Sequence, residues 1–357
     1  MKILGIETSC DETAVSLLQV TRDKIQVTSN VVLSQIEIHK KYGGIVPEVA
    51  ARKHVESIIP IIEEALNDDS ISKTKDLRPD LIAVTYGPGL ITSLQVGIQT
   101  AKTLSYIWDV PLVGVNHLEA HLWSFLLNKE QRTKIEDLKF PAVGLVISGG
   151  HTEMILVKGI GSPRFGEAGK YKLIGRTRDD AVGEAFDKVA KMLNLGYPGG
   201  PIISHYAKSG NPKKIDFPRP MIDSKDFDFS FSGIKTSVKY FLKELISTGS
   251  LSSHLTKDIC ASFQQAVIDV LVEKTVRAAK EFKVKSIILG GGVSANEELI
   301  KELGTRCKEQ GLNFYYPYLE HTGDNAAMIA LTGYFNIKKS SKKCWQKLTA
   351  DANLKIV

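Results

Sequence analysis

Two stretches of the chain share one pattern of apolar and polar positions. Residues 4–18 (LGIETSCDETAVSLL) and 144–158 (GLVISGGHTEMILVK) each run from a short apolar stretch through small and hydroxyl residues into a second β-favouring stretch. That pattern predicts a β-hairpin with a polar tip. Each hairpin is followed by a strand, a glycine turn and a helical period. In the first copy these are Leu81–Thr85, Tyr86–Gly89 and Ser93–Ile107; in the second, Ser286–Leu289, Gly290–Gly292 and Asn296–Glu309. The repeat predicts a duplicated α/β protein of two lobes with a cleft between them. Ligands of such sheets bind at the carboxyl ends of strands, where the glycine turns fall.

The hairpins lie 140 residues apart and the glycine turns about 200, so about 60 extra residues belong to the second copy, between 160 and 255. A helix is predicted there over Asp179–Asn194, with Phe186, Val189, Ala190 and Leu193 on one face. Gly196 and the turn Tyr197–Pro201 end it. A longer helix follows at about Lys257–Phe282, with Ile259, Phe263, Val267, Val270 and Leu271 inward. The expected organisation is a first lobe over 1–115 and a second over 116–335, its last helix packing back on the first lobe. Residues 336–357 form a tail.

Composition changes little. With 357 residues, 43% hydrophobic and 24% charged, the chain is an ordinary globular protein with length for two domains. Cys10, Cys260, Cys307 and Cys344 form no CxxC pair, which argues against a disulfide scaffold or a cysteine zinc site and for a reducing compartment. No apolar run reaches the ~18 residues of a membrane span, and Glu7 interrupts any signal peptide. A soluble, cytoplasmic protein is expected. Charge is more telling. Of the net +6, the segment 336–357 holds +5 from six lysines and one acid, leaving +1 for residues 1–335. The tail is either a solvated, frayed end or a polyanion-binding arm.

Four features carry candidate chemistry. The tips Thr8–Thr13 and Ser148–Thr152 are built of small residues that let backbone N–H groups approach phosphate oxygens, or they are only turns. Leu289–Asn296 follows a strand and opens a helix, but has neither GxGxxG nor GxxxxGK[ST] spacing, so a Rossmann site and a P-loop are both disfavoured. Its glycines let a flat ring or a phosphate lie on the backbone, with Asn296 to bond it, or they serve close packing. His117 and His121, four apart, share a helix face and can hold one metal, or they are core histidines. The third ligand would come from His321–Asn325, which joins a probable strand to a helix and supplies a carboxylate. The motif is not HExxH, so the base of a zincin protease is missing.

Taken together, these motifs identify a family. Ile6–Thr13, Tyr86–Gly89, His117–His121, Ser148–Thr152, Asp187, Tyr197–Pro201, Phe229–Gly233, Gly291–Asn296 and Gly323–Asn325 occur in the order found in bacterial TsaD proteins, the tRNA N6-adenosine threonylcarbamoyltransferases. The chain closely resembles them over about residues 1–335. The resemblance implies a duplicated actin/Hsp70-like (ASKHA) ATPase fold with a central nucleotide cleft. It implies transfer of threonylcarbamoyl from threonylcarbamoyl-AMP to N6 of adenosine 37 in tRNAs that read codons beginning with A. It implies a divalent metal, with iron expected ahead of zinc or magnesium, on His117, His121 and Asp324. Nucleotide contacts are implied at Val146, Ile147, Ser148, Gly149, Gly150, Asp187, Gly200 and Asn296, and a functional acidic pair at Asp11 and Glu12. Where the family often has an acid after Gly-Gly-Pro, this chain has Ser204. Implied partners are tRNA, a smaller paralogue of the same fold and a small P-loop ATPase (TsaB- and TsaE-like), with no membrane.

The alternatives are an ATP-dependent small-molecule kinase of the same fold, a metalloprotease and a non-enzymatic nucleotide-binding scaffold. A body with net +1 must bind tRNA through local patches. Two are expected, at Lys158–Arg178 and along Lys274, Arg277, Lys280, Lys283 and Lys285. Deleting 336–357 should then lower tRNA affinity only modestly.

Overall fold

The computed structural model describes residues 1–21, 24–67, 78–127, 138–160, 169–247 and 252–356. The strands are β1 Lys2–Glu7, β2 Glu12–Val20, β3 Ile25–Ser34, β4 Leu81–Gly87, β5 Leu112–Asn116, β6 Ala142–Ile147, β7 Thr152–Gly159, β8 Lys170–Arg176, β9 Ser286–Gly290 and β10 Asn313–Tyr315. The helices are α1 Ile36–His39, α2 Pro47–Leu66, α3 Ile91–Trp108, α4 His117–Trp123, α5 Val182–Met192, α6 Gly199–Ala207, α7 Ser232–Ser247, α8 Ser253–Glu281, α9 Glu297–Glu309 and α10 Ala326–Phe335.

The strands form two five-stranded sheets, in the orders β3-β2-β1-β4-β5 and β10-β9-β6-β7-β8. Read from its other edge, the second order repeats the first strand for strand, so the duplication seen in the hydrophobic pattern is a duplication of topology. Both hairpins form as expected, with β1 and β2 paired from Lys2↔Gln19 to Glu7↔Ala14 and β6 and β7 from Ala142↔Val157 to Ile147↔Thr152. β1, β4 and β5 run parallel, as do β6, β9 and β10.

The chain divides into two compact units. Unit 1 holds Met1–Leu138, Lys158–Tyr171 and Pro317–Val357; unit 2 holds Lys139–Val157 and Lys172–Tyr316. The first boundary therefore falls after 138, not after 115. Packing explains the difference: α4 and the turn at Ser124–Leu127 are almost wholly buried, and both pack against α10 of unit 1.

In unit 1, alternation along the strands sends Leu4, Ile6, Val15, Leu17, Ile82 and Val84 to one core, shared with Ile58, Ile61 and Ile62 of α2 and Leu94, Ile98 and Ala101 of α3. The other face takes α10, which is apolar all round and nearly all buried. Glycines set its approach. A Cβ on Gly5 would lie 2.2 Å from the Ala326 carbonyl, and one on Gly333 would lie 2.4 Å from the Ala83 Cβ. In unit 2, Val143, Leu145 and Ile147 meet Phe186 and Val189 of α5 and the inward face of α8, including Ile259, Phe263 and Val267.

The tail is not frayed. Ser341 bridges to Leu112, and Trp345, Leu348 and Ala350 pack on the α2–α3 core. The Trp345 ring meets Tyr106 edge-on at 5.2 Å between centroids. Ile356 is 2% exposed, while all six tail lysines are exposed. All four cysteines are free, and no described helix is long and apolar enough to cross a membrane.

Candidate metal centre and nucleotide cradle

In unit 1 the parallel strands end at one place. Glu7 closes β1, Thr85 lies near the end of β4, and β5 ends at Asn116, whose side chain caps α4 by accepting from Leu118 N and Glu119 N. The cap starts the helix so that His117 and His121 lie on one inward face, with ring centroids 4.6 Å apart. Asp324 arrives just before α10, whose own cap is Asn325.

Asp324 Oδ1 lies 3.1 Å from His121 Nε2 and 3.5 Å from His117 Nε2. One ligand atom from each of the three lies within 4.8 Å of the others, and both histidines are buried. On its other side, His117 Nδ1 donates to Glu7 Oε2 at 3.0 Å. Glu7 also accepts from Thr85 Oγ1 and Ser9 N, so its two oxygens meet only donors.

The electrostatics of this group favour a cation. Burial would lower His117, but Asp324 and Glu7 carry it well above its ordinary value. Burial would raise Asp324, but the two imidazoles hold it far below the usual carboxylate range. His121 is pushed down, by burial and then by its charged neighbour His117. A buried carboxylate, Glu7, and a half-buried one, Asp324, thus draw positive charge to the two buried imidazoles. Two imidazole nitrogens and one carboxylate oxygen fit a bound divalent metal. Glu7 orients one imidazole, whereas His121 Nδ1 is buried with no hydrogen-bond partner among the described residues.

The acidic pair lies close by. Asp11 is buried on the β1–β2 tip, and Glu12 opens β2. Burial, then the Asp11 and Asp324 carboxylates, push Glu12 well above the usual range, and it is hydrogen-bonded to Asp11. Burial and the same acids raise the Cys10 thiol, so it is no ready nucleophile. His54 supports the tip from below, its Nδ1 on Thr13 Oγ1 at 2.8 Å and its Nε2 on the Cys10 carbonyl at 3.0 Å.

Unit 2 gathers the nucleotide candidates into a closed ring. Ser148 O, on the β6–β7 tip, accepts from Gly183 N of α5. Asp187 of α5 accepts from Gly199 N at 2.6 Å, which starts α6. Ser204 of α6 meets Asn296, the cap of α9. Gly291, at φ +88°, returns to Ile147, since a Cβ there would lie 2.4 Å from the Ile147 carbonyl. Around this ring Gly149, Gly150, Gly200 and Gly292 have nothing within 4 Å of a Cβ position, so bare backbone is presented. The side chains of Val146 and Ile147 are in the core, so the tip itself offers Ser148, Gly149 and Gly150.

One expected tRNA patch shrinks to Lys280, Lys283 and Lys285, which are exposed. Lys274 is fully buried, its Nζ donating to Ser224 Oγ and the Asp226 carbonyl, and Arg277 donates to the carbonyls of Ile222 and Asp226. Both cations hold the 222–226 turn instead of facing outward. Burial pushes Lys274 down to about 8. Below that pH the folded state bears the full cost of the buried charge. Between 8 and the unfolded value near 10.5 the unfolded chain binds the extra proton, so stability rises with pH. Urea unfolding at pH 7.5 and 10.5 should show the wild type gaining up to about 3 kcal/mol relative to Lys274→Met. An unchanged difference would contradict a buried ammonium. In the other patch, 161–168 lie outside the described residues. Lys170, Lys172 and Arg176 alternate on one exposed face of β8, while Arg178 is held by Asp226 and Asp228.

Duplicated mixed sheets, a His–His–Asp group at the strand ends of one unit and a glycine-lined ring on the other define an ASKHA-type α/β enzyme. Comparisons sharpen this. The family model of TsaD, tRNA N6-adenosine threonylcarbamoyltransferase, matches residues 26–331. Proteins of that name from Thermodesulfovibrio yellowstonii, Clostridioides difficile and Thermosipho africanus are 48%, 46% and 46% identical to the chain. The alignments cover 94%, 99% and 100% of this chain and 94%, 98% and 100% of theirs. Two solved HypF structures match the fold. The full-length protein in its phosphate- and nucleotide-bound form gives a TM-score of 0.58 at 13% identity, and the T. kodakarensis protein 0.57 at 17%. Each match covers 95% of this chain, which spans just under half of either HypF chain, at 46% and 48%.

The chain belongs to the TsaD family. It is a transferase that moves a threonylcarbamoyl group to N6 of a tRNA adenosine, and the kinase and protease readings are not favoured. The sequence pattern alone marks neither Glu7 nor Thr85 nor His54 as a site residue. A lone carboxylate inside an apolar strand, Ile6-Glu7, was the one available signal.

Proposed function

We propose that the chain uses threonylcarbamoyl-AMP as donor and adenosine 37 as acceptor, with iron as the metal on His117, His121 and Asp324. The observation that carries this is the His–His–Asp group, both histidines buried and Asp324 half-buried, with Glu7 orienting one ligand and the acidic pair beside it. An exocyclic adenine amine is a poor nucleophile because its lone pair is delocalised into the ring. The chain's residues must therefore position it and remove its proton. N6 attacks the carbamoyl carbon, the bond from that carbon to the AMP phosphate oxygen breaks, AMP leaves, and one N6 proton goes to the protein. Burial and the neighbouring carboxylates raise Glu12, which is hydrogen-bonded to Asp11, and we assign Asp11 as the acceptor with Glu12 orienting it. When bound, the metal supplies Lewis-acid polarisation of a donor oxygen. The Ser148–Gly150 tip and the α5–α6–α9 ring hold the AMP, backbone N–H groups suiting its phosphate.

tRNA phosphates meet Lys172 and Arg176 on β8, and binding weakens steeply with salt. A smaller paralogue and a small P-loop ATPase complete the system, and a tRNA substrate places it in the cytoplasm. The deciding experiment is mass analysis of nucleosides from tRNA incubated with the protein, those partners and the donor. Threonylcarbamoyladenosine at position 37 is expected, and its absence would sink the reading.

A further inference from the structure

Leu299 N donates to Asn296 Oδ1 at 3.0 Å, the cap of α9. This fixes the Asn296 amide, so its Nδ2 faces α6 and α8 and donates to Ser204 Oγ at 3.1 Å and Gln264 Oε1 at 2.8 Å. Two amide nitrogens cannot face each other, so Gln264 must present its oxygen. The Ser204 hydroxyl donates to that same oxygen at 2.9 Å. Both N–H groups of Asn296, the Ser204 proton and both lone pairs of Gln264 Oε1 are then used.

What remains is a definite set. Gln264 Nε2 has no acceptor among the described residues, although Gln264 is only 9% exposed. One lone pair stays on Ser204 Oγ and one on Asn296 Oδ1. The cluster carries no charge and offers donors beside acceptors. A phosphate, which only accepts, would leave those lone pairs unmet; a sugar diol, whose hydroxyls both donate and accept, meets both kinds. The cluster belongs to the ring that presents the bare glycines Gly149, Gly150, Gly200 and Gly292.

We propose that Gln264 Nε2 binds a ribose hydroxyl oxygen of the adenine nucleotide, with Asn296 and Ser204 as positioning residues that turn it outward. Asn296 then acts through Gln264.

Titration calorimetry of the full chain with AMP and with 2′,3′-dideoxy-AMP tests this. Gln264→Ala should weaken AMP about tenfold, the worth of one good hydrogen bond, and leave dideoxy-AMP within about twofold. Asn296→Asp keeps the helix cap but replaces Nδ2 by an acceptor, so Gln264 turns its own nitrogen inward. It should match the Gln264→Ala loss, and the double variant should lose no more. Equal penalties for both nucleotides would overturn the ribose assignment. An effect lost only with purine riboside monophosphate would move the contact to the base and overturn it too. Additive losses would overturn the action through Gln264, as would full AMP affinity in Gln264→Ala. Wild-type protein that binds no AMP would instead overturn the nucleotide reading on which this rests.

Discussion

Asp324→Ala is expected to purify without bound metal and to form no threonylcarbamoyladenosine in tRNA. Its carboxylate lies within 3.5 Å of both ligand nitrogens, so removing it leaves two imidazoles, too few to hold a divalent ion against water. The fold should survive. Asn325, not Asp324, caps α10, and the Asp324 side chain is 18% exposed. Glu7→Gln is the graded companion. Ser9 N on one oxygen and Thr85 and His117 on the other are all donors, so an amide nitrogen must oppose at least one of them. The His117 ring loses its orientation, and metal affinity should fall about 10–100-fold without vanishing. Metal content by plasma mass spectrometry after dialysis checks both, beside a thermal melt. Wild-type metal content in Asp324→Ala would refute the assigned ligand set.

Much of this was readable because it repeats or is local. The hairpins, the glycine turns and the helix face of Phe186, Val189 and Ala190 follow from periodicity. The His117–His121 pair follows from helix spacing. Pairing them with Asp324, 203 residues beyond His121, rests in the sequence only on a carboxylate between a probable strand and a helix, and its physical cause is α10 docking on the first sheet through Gly5 and Gly333. Such a contact leaves no local trace. Lys274 and Arg277 misled for a related reason: charge spacing along a helix shows a face, but not whether a turn such as 222–226 covers it. α2 is not among the predicted helices; Pro47 sits at its start, where proline is tolerated, and Pro60 is exposed.

The tail reverses its expectation most sharply. Deleting 336–357 should destabilise unit 1 by about 5 kcal/mol or more, a large part of an ordinary protein's stability, and lower the melting temperature by about 10 °C or leave the protein insoluble. The deletion uncovers the faces beneath Trp345, Leu348 and Ile356, each worth about 1.5–3 kcal/mol when fully buried. It also strips backbone partners: Asp351 N donates to the Tyr86 carbonyl, and the Ala352 carbonyl accepts from Gly89 N. Two sheet glycines exist to admit this segment, since a Cβ on Gly87 would lie 2.0 Å from the Asp351 carbonyl and one on Gly114 would lie 2.6 Å from Leu348 Cδ1. A full-length variant with Lys338, Lys339, Lys342, Lys343 and Lys347 changed to Gln separates packing from charge. These lysines are exposed, so it should melt near the wild type and bind tRNA only modestly less well. Normal melting of the truncated chain, with tRNA binding lost in the glutamine variant, would make the segment an arm after all. The packed tail also reaches the metal helix, because the Lys355 carbonyl accepts from Asn116 Nδ2 and Asn116 caps α4. Truncated protein that stays soluble should therefore hold its metal more weakly than the glutamine variant, although no metal ligand has been touched.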